Sequence, residues 1–232
     1  MPSFARHLHS KAGEASANEA KATTGLIPEG GWRYDLHGWL LDTFWFRGQG
    51  RELRRRAATL ARLRPGEQVL DVGCGTGTLA LEVARRVGRA GRVAGIDPSP
   101  EQIARARAKA ARRRAPIEFQ VGVIEKLPFA DQTFEVVFST LMMHHLPTPL
   151  KRQGLGEIAR VLKPGGRLVI ADFIRKQARQ GRAARFHAGG SDLHELAALI
   201  QDVGFSLVDT EEIVPVRFSA FPGAGLVRAH KS

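Results

Sequence analysis

The segment Val69-Leu70-Asp71-Val72-Gly73-Cys74-Gly75-Thr76-Gly77-Thr78 constrains the fold more than any other part of this 232-residue chain. An apolar run ends near an acid, three glycines follow at alternate positions, and a helical pattern begins at once. Glycine adopts positive φ without steric cost and leaves bare backbone against which a ligand can lie. The start of the following helix offers unpaired N–H groups and a positive dipole end to an anionic group. A dinucleotide fingerprint would need Gly-x-Gly-x-x-Gly. Gly73 and Gly75 fit it, but Thr78 stands where the third glycine belongs, which places a nicotinamide-dependent oxidoreductase well behind other readings.

Around this segment the pattern alternates. Strands are expected over Gln68 to Val72, Arg92 to Ile96, Ile117 to Val121, Phe134 to Thr140, Arg167 to Ala171, Phe205 to Val214 and Gly225 to His230. Helices are expected over Arg51 to Leu63, Leu79 to Val87, Pro100 to Arg114, Leu150 to Leu162 and Asp192 to Val203. Short apolar strands separated by helices imply an α/β fold with a doubly wound, mainly parallel sheet and helices on both faces. The last strand is expected to run antiparallel. Ligands in such sheets bind beyond the carboxyl ends of the strands. Residues 1–28 read as a flexible tail, 29–64 as a helical lid segment and 65–232 as the main domain.

The formal net charge is +12, a balance that can attract nucleic acid, anionic lipid or acidic metabolites. Arg105, Arg107, Lys109, Arg112, Arg113 and Arg114 sit among alanines at helical spacing. They read first as a solvated helix face, and a nucleic-acid partner is not expected. The single cysteine, Cys74, excludes an internal disulfide framework and a zinc site built on several thiolates. No stretch is apolar for long enough to span a bilayer, and the first 22 residues lack a secretory apolar core. A cytoplasmic location is expected.

The glycine segment resembles the first motif of the class I S-adenosyl-L-methionine (SAM)-dependent methyltransferases, a Rossmann-like family. Asp71, Gly73, Gly75 and Gly77 match it residue for residue. The resemblance implies that this loop, with Cys74 and Thr78, holds the methionine part of SAM, and that Asp71 lies near its amino group. Gly95-Ile96-Asp97-Pro98-Ser99 resembles the end of the family's second strand. Asp97 would then accept from the ribose hydroxyls and Pro98 would lie against the adenine. By itself Asp97 could instead cap the next helix, a role open to Ser99 as well. Gly122-Val123-Ile124-Glu125-Lys126-Leu127-Pro128-Phe129 resembles Gly-Asp-Ala-Glu-x-Leu-Pro-Phe. Val123 replaces the aspartate that meets the adenine amino group, a loss of about 1 kcal/mol or somewhat more. The Ile124 backbone N–H keeps its place, and Glu125 matches the family glutamate. Val161 to Leu168 resembles the turn into the fifth strand. The ubiquinone/menaquinone-biosynthesis C-methyltransferases and their small-molecule relatives look nearest.

Methyl transfer from a sulfonium needs an aligned nucleophile and a dry site. It needs a base only if the acceptor must lose a proton. Thr140 ends the fourth strand, beside the methyl position that the resemblance implies, and His144-His145 follows as the base candidate. The alternative is that one histidine packs the loop and the other is solvated. Tyr34, the chain's only tyrosine, either lines the acceptor pocket or packs under the lid. Arg175, Lys176, Arg179, Arg182 and Arg185 follow the fifth strand, where they could draw in an anionic acceptor or be solvated. Trp39, Leu40, Phe44, Trp45 and Phe46 could touch a membrane surface to collect a lipophilic acceptor, or simply pack on the sheet or on the second copy in a homodimer. No metal is expected. The leading reading is a small-molecule methyltransferase acting on carbon, oxygen or nitrogen. An RNA or protein methyltransferase and a non-catalytic SAM-binding module are the alternatives. Arsenite is disfavoured as acceptor, because thiolate capture needs more cysteines than Cys74.

Overall fold

The computed structural model describes residues 49–173, 192–213 and 223–232. Helix α1 (Gln49–Leu60) precedes strand β1 (Gln68–Val72). The chain continues through α2 (Thr78–Val87), β2 (Arg92–Asp97), α3 (Pro100–Arg112), β3 (Ile117–Val121), β4 (Phe134–Thr140), α4 (Thr148–Val161), β5 (Leu162–Phe173), α5 (Leu193–Asp202), β6 (Phe205–Ile213) and β7 (Ala224–Lys231). A 3₁₀ turn at Met143–His145 joins β4 to α4.

The seven strands form one sheet in the order β3-β2-β1-β4-β5-β7-β6. β1 pairs in parallel with β2 on one side and β4 on the other, so the strand order reverses between β1 and β4. That reversal opens the crevice in which doubly wound sheets hold their ligands. β7 enters between β5 and β6 and runs antiparallel to both, which is the expected reversal of the C-terminal strand.

Period-two alternation sends the side chains of each strand to two separate cores. Val69, Val93, Phe119, Val136, Phe138 and Val169 pack with Leu53, Leu79, Val83 and Ile103 from α1, α2 and α3. Leu70, Ile96, Val137, Leu168 and Ile170 pack with Leu155, Ile158, Leu196 and Ile200 from α4 and α5. Both faces are covered, so the central strands are apolar along their length rather than alternating with polar residues.

Three differences from the sequence expectations have local causes. The lid expected over 29–64 ends in α1, whose Leu53, Ala57 and Ala58, with Ala61 just beyond, are buried in the first core. This stretch is therefore a layer of the domain; residues 29–48 lie outside the described residues. Strand β5 begins five residues early, because Leu162 pairs with Phe134 before a register shift brings Arg167 opposite Val136. Gly165 takes φ 70° in that irregularity, and a Cβ on Gly166 would lie 2.7 Å from the Lys163 carbonyl oxygen. Helix α3 stops at Arg112 because Arg114 turns left-handed at φ 51°. Its cations are also less free than a solvated face implies: Arg107 donates to the Phe119 carbonyl at 2.6 Å, and Lys109 to the Thr76 hydroxyl at 2.7 Å.

Gly77 joins the loop to this packing. It sits at φ 71°, and a Cβ there would lie 2.6 Å from the Phe119 ring. Gly77→Ala is expected to destabilise the protein by roughly 2–4 kcal/mol, from left-handed strain and overpacking together. Urea unfolding with unchanged m would measure it.

Candidate functional site

The loop between β1 and α2 is shaped by backbone that only glycine adopts freely. Gly73, Gly75 and Gly77 have φ of 71°, 50° and 71°. The N–H groups of Gly73 and Cys74 donate to the Ile96 carbonyl at 2.9 and 2.8 Å, and the Gly75 N–H donates to Asp97 Oδ2 at 2.9 Å. The loop is thereby stitched to the end of β2. The three glycines differ in what they face. A Cβ on Gly73 would strike Met142 at 2.6 Å, whereas one on Gly75 would meet nothing within 4 Å. Gly73 and Gly77 are thus required by packing, and Gly75 opens onto space that a ligand can fill.

The other loop residues separate in the same way. The Cys74 side chain is buried in the first core and faces Gly95, not the open space. Burial, with the nearby Asp71 and Asp97 charges, drives its thiol pKa well up. Thr78 is exposed, and its hydroxyl takes a hydrogen bond from Lys109 at 3.2 Å.

Two acids lie beneath the loop. Asp71 is 1% exposed, and neither carboxylate oxygen closes a hydrogen bond with a described residue. Burial pushes its pKa up to about 7, with the Arg54 charge and the Ala80 N–H opposing and the Asp97 charge adding to the rise. Asp97 is also buried and also pushed up, chiefly by desolvation, against hydrogen bonds from the Ser99 and Gly75 N–H groups. Its Oδ1 takes the Ser99 N–H at 2.9 Å, while the Ser99 hydroxyl caps α3 by accepting from Gln102. The helix cap is therefore supplied by Ser99, leaving Asp97 to the loop. Pro98 is half-buried beside it. A buried carboxylate that closes no hydrogen bond among the described residues, near open backbone, fits a ligand that carries an ammonium or sulfonium charge, and SAM carries both.

The segment after β3 is held from α4. The Leu127 N–H donates to Glu157 Oε2 at 2.8 Å, and Arg160 donates to the carbonyls of Leu127 and Phe129 and to Asp131. Val123 and Ile124 are both buried. Ile124 fills the space over Gly154, where a Cβ would come within 2.6 Å of it. Glu125 accepts at its carbonyl from Gln153, while its Oε2 is buried without a partner among the described residues. Arg160 also holds the Glu157 carboxyl below its usual range.

At the end of β4, Thr140 is half-buried opposite Ala171 of β5. Leu141 then turns left-handed at φ 56°, its N–H held by the Ala171 carbonyl. The chain passes over Gly73 at Met142 and enters the 3₁₀ turn. There His144 Nδ1 lies 2.5 Å from Asp172 Oδ1, and the His144 N–H donates to Asp172 Oδ2 at 2.7 Å. The two histidine rings are 3.8 Å apart. Desolvation, helped by His144 and opposed by Asp172, keeps the His145 pKa below the usual histidine range. Asp172 escaped the sequence reading, although an acid closing an apolar strand is the same signal that marked Asp97. Tyr34, the aromatic cluster of residues 39–46 and the cations of 175–187 lie outside the described residues.

Burial of the Asp71 carboxylate makes the stability of the ligand-free protein depend on pH. Its pKa of about 7 stands above the ordinary aspartate value of about 3.9. The folded state therefore binds more protons than the unfolded state between those limits. Stability of the ligand-free protein should be fullest below the lower value and decline as pH rises through about 7. Asp71→Asn should flatten that decline and raise stability near neutral pH and above by roughly 1–3 kcal/mol. Urea unfolding across the window tests this, and a less stable Asp71→Asn protein at high pH would contradict it.

Comparison with known proteins agrees with this geometry. Residues 69–166 match a family model described as a methyltransferase domain. An arsenite methyltransferase of Halobacterium salinarum is 35% identical over 157 residues, which is 64% of this chain and 40% of that protein. A ubiquinone/menaquinone biosynthesis C-methyltransferase of Geobacter sulfurreducens is 37% identical over 149 residues, 63% of this chain and 56% of its own length. The chain thus spans about half the length of these curated relatives. A SAM-dependent methyltransferase from Aquifex aeolicus superposes with a TM-score of 0.63 at 24% identity, over 77% of this chain and 89% of its own, a likeness of fold. The matched residues include the glycine loop, Asp97 and the turn at His144, so residues 69–166 are similar in sequence to methyltransferase domains, and the fold is that of a SAM-dependent methyltransferase.

Proposed function

We propose that this protein transfers the methyl group of SAM to a small-molecule acceptor by in-line displacement. The observation that carries this reading is the buried Asp71 carboxylate, which closes no hydrogen bond among the described residues, together with the open backbone at Gly75. When bound, SAM supplies an electrophilic methyl group on a positively charged sulfur. Asp71 would accept from the methionine ammonium. Gly75 would let the ligand lie against backbone. Asp97, already fixed by two N–H groups, would turn its remaining lone pairs to the ribose hydroxyls. Val123 would give the adenine an apolar contact with no side-chain acceptor, and the Ile124 backbone N–H would meet the ring while its side chain stays packed over Gly154.

The acceptor is proposed to be an organic molecule of lipophilic character. Support comes from the similarity to a ubiquinone/menaquinone biosynthesis C-methyltransferase. The similarity to an arsenite methyltransferase is of the same strength, but arsenic capture needs thiolates. The chain has one cysteine, and it is buried with its pKa raised.

Calorimetric titration with SAM and with S-adenosylhomocysteine tests the cofactor assignment. Micromolar binding of both is expected, with Asp97→Ala at least about tenfold weaker because hydrogen bonds to a charged acceptor are lost. Affinity should rise with pH through about 7 as Asp71 ionises. A folded protein that binds neither ligand would refute the proposal.

A further inference from the structure

We propose that His144 is the general base of the reaction, that Asp172 positions it, and that the acceptor is therefore one that must lose a proton as it is methylated. This rests on the methyltransferase reading above and specifies its acceptor. Candidates are phenols, hydroquinones and enols, attacking through oxygen or through the carbon of the conjugate base. Tertiary amines and thioethers, which have no proton to lose, are excluded.

The geometry is that of an oriented imidazole. Asp172 ends β5, and its carboxylate receives three groups: the N–H of His144 at 2.7 Å, the N–H of Phe173 at 2.8 Å, and His144 Nδ1 at 2.5 Å. A carboxylate accepts, so Nδ1 carries the hydrogen and the neutral ring keeps its lone pair on Nε2. The side chains of His144 and Asp172 are only 9% and 4% exposed, where water competes little for the pair. The ring is held from further sides, by His145 at 3.8 Å and by the edge of Phe173 at 5.2 Å. Asp172 from β5 and His145 from its own turn are the titratable groups facing it among the described residues.

The turn is also tied to the cofactor loop. Met142, two residues before His144, lies against Gly73 so closely that a Cβ there would be 2.6 Å from it. The left-handed Leu141 reverses the chain just before this contact. A packed histidine needs neither a buried carboxylate on Nδ1 nor a strained approach beside the ligand loop. Both are what a base must have to keep one tautomer and one direction.

The acceptor O–H or C–H proton passes to His144 Nε2. The freed electron pair bonds the methyl carbon as the carbon–sulfur bond breaks, and that bond's pair stays on sulfur, leaving neutral S-adenosylhomocysteine. The imidazolium then returns its proton to water.

The test has two readouts on the full-length chain. Nitrogen-15 NMR of the histidines should show His144 protonated at Nδ1 in its neutral form, with the signal assigned by its loss in His144→Gln. Asp172→Asn should disturb that tautomer. Methyl transfer is then measured with catechol, with 1,4-naphthohydroquinone, and with 4-nitrocatechol, which is already ionised at about pH 8. His144→Gln should lower kcat on the first two by roughly 10²–10⁴-fold and leave 4-nitrocatechol within a few-fold of the parent. Asp172→Asn should show the same selectivity with a smaller loss, and SAM affinity should not change in either variant. Equal losses on all acceptors would reduce the pair to a structural role and overturn the proposal. So would an Nε2-protonated His144, or SAM binding with turnover only of the tertiary amine dimethylaminoethanol, or of none of these acceptors. Failure of the parent protein to bind SAM would instead refute the methyltransferase reading itself.

Discussion

The connection between the glycine loop and the end of β2 is the interaction on which the site depends. The Ile96 carbonyl takes the N–H groups of Gly73 and Cys74, and Asp97 takes that of Gly75. These bonds satisfy donors that a loop bent through three left-handed residues would otherwise leave unpaired. They also couple the two strand ends across one sheet spacing. The left-handed path at Gly73 and Gly77 lets Met142 and Phe119 approach the loop from opposite sides. What is left open, at Gly75, is open because everything around it is held.

Asp71 shows the opposite balance. Its strand is buried on both faces, and an apolar residue there would complete the first core. Instead a carboxylate is placed where it finds no partner among the described residues and its charge is disfavoured. Such a group costs stability in the folded protein, and costs of this kind collect at sites whose partner arrives with a ligand. The surrounding sheet tolerates it because both cores continue uninterrupted on either side of the strand.

The reversal of strand order between β1 and β4 brings these features to one edge. β1 and β2 contribute the acids Asp71 and Asp97. β4 and β5 contribute Thr140, the His144 turn and Asp172. Asp172 and His144 are 28 residues apart, separated by the whole of α4, and they meet only because β4 and β5 pair in parallel with Thr140 opposite Ala171. The loop after β3 reaches the same edge and is anchored through Glu157 and Arg160 of α4.

The sequence by itself determined most of the strands and helices and the path of the glycine loop. Short apolar runs buried on two faces have a periodicity that survives without tertiary knowledge, and three glycines after Asp71 have few other physical uses. Strands Gln68–Val72, Ile117–Val121 and Phe134–Thr140 have the same bounds in the sequence reading and in the fold. The irregular start of β5 and the 3₁₀ turn at Met143–His145 were not legible, because each is set by pairing or packing over too few residues to carry a period. The tertiary structure alone decided which glycine faces packing and which faces open space, that the Cys74 side chain is buried against Gly95 while the Thr78 hydroxyl meets Lys109, and that Ser99 caps α3 while Asp97 serves the loop. It alone distinguished His144 from His145. Adjacent residues in a sequence are equivalent candidates, and only the carboxylate of Asp172, arriving from a neighbouring strand, makes them different.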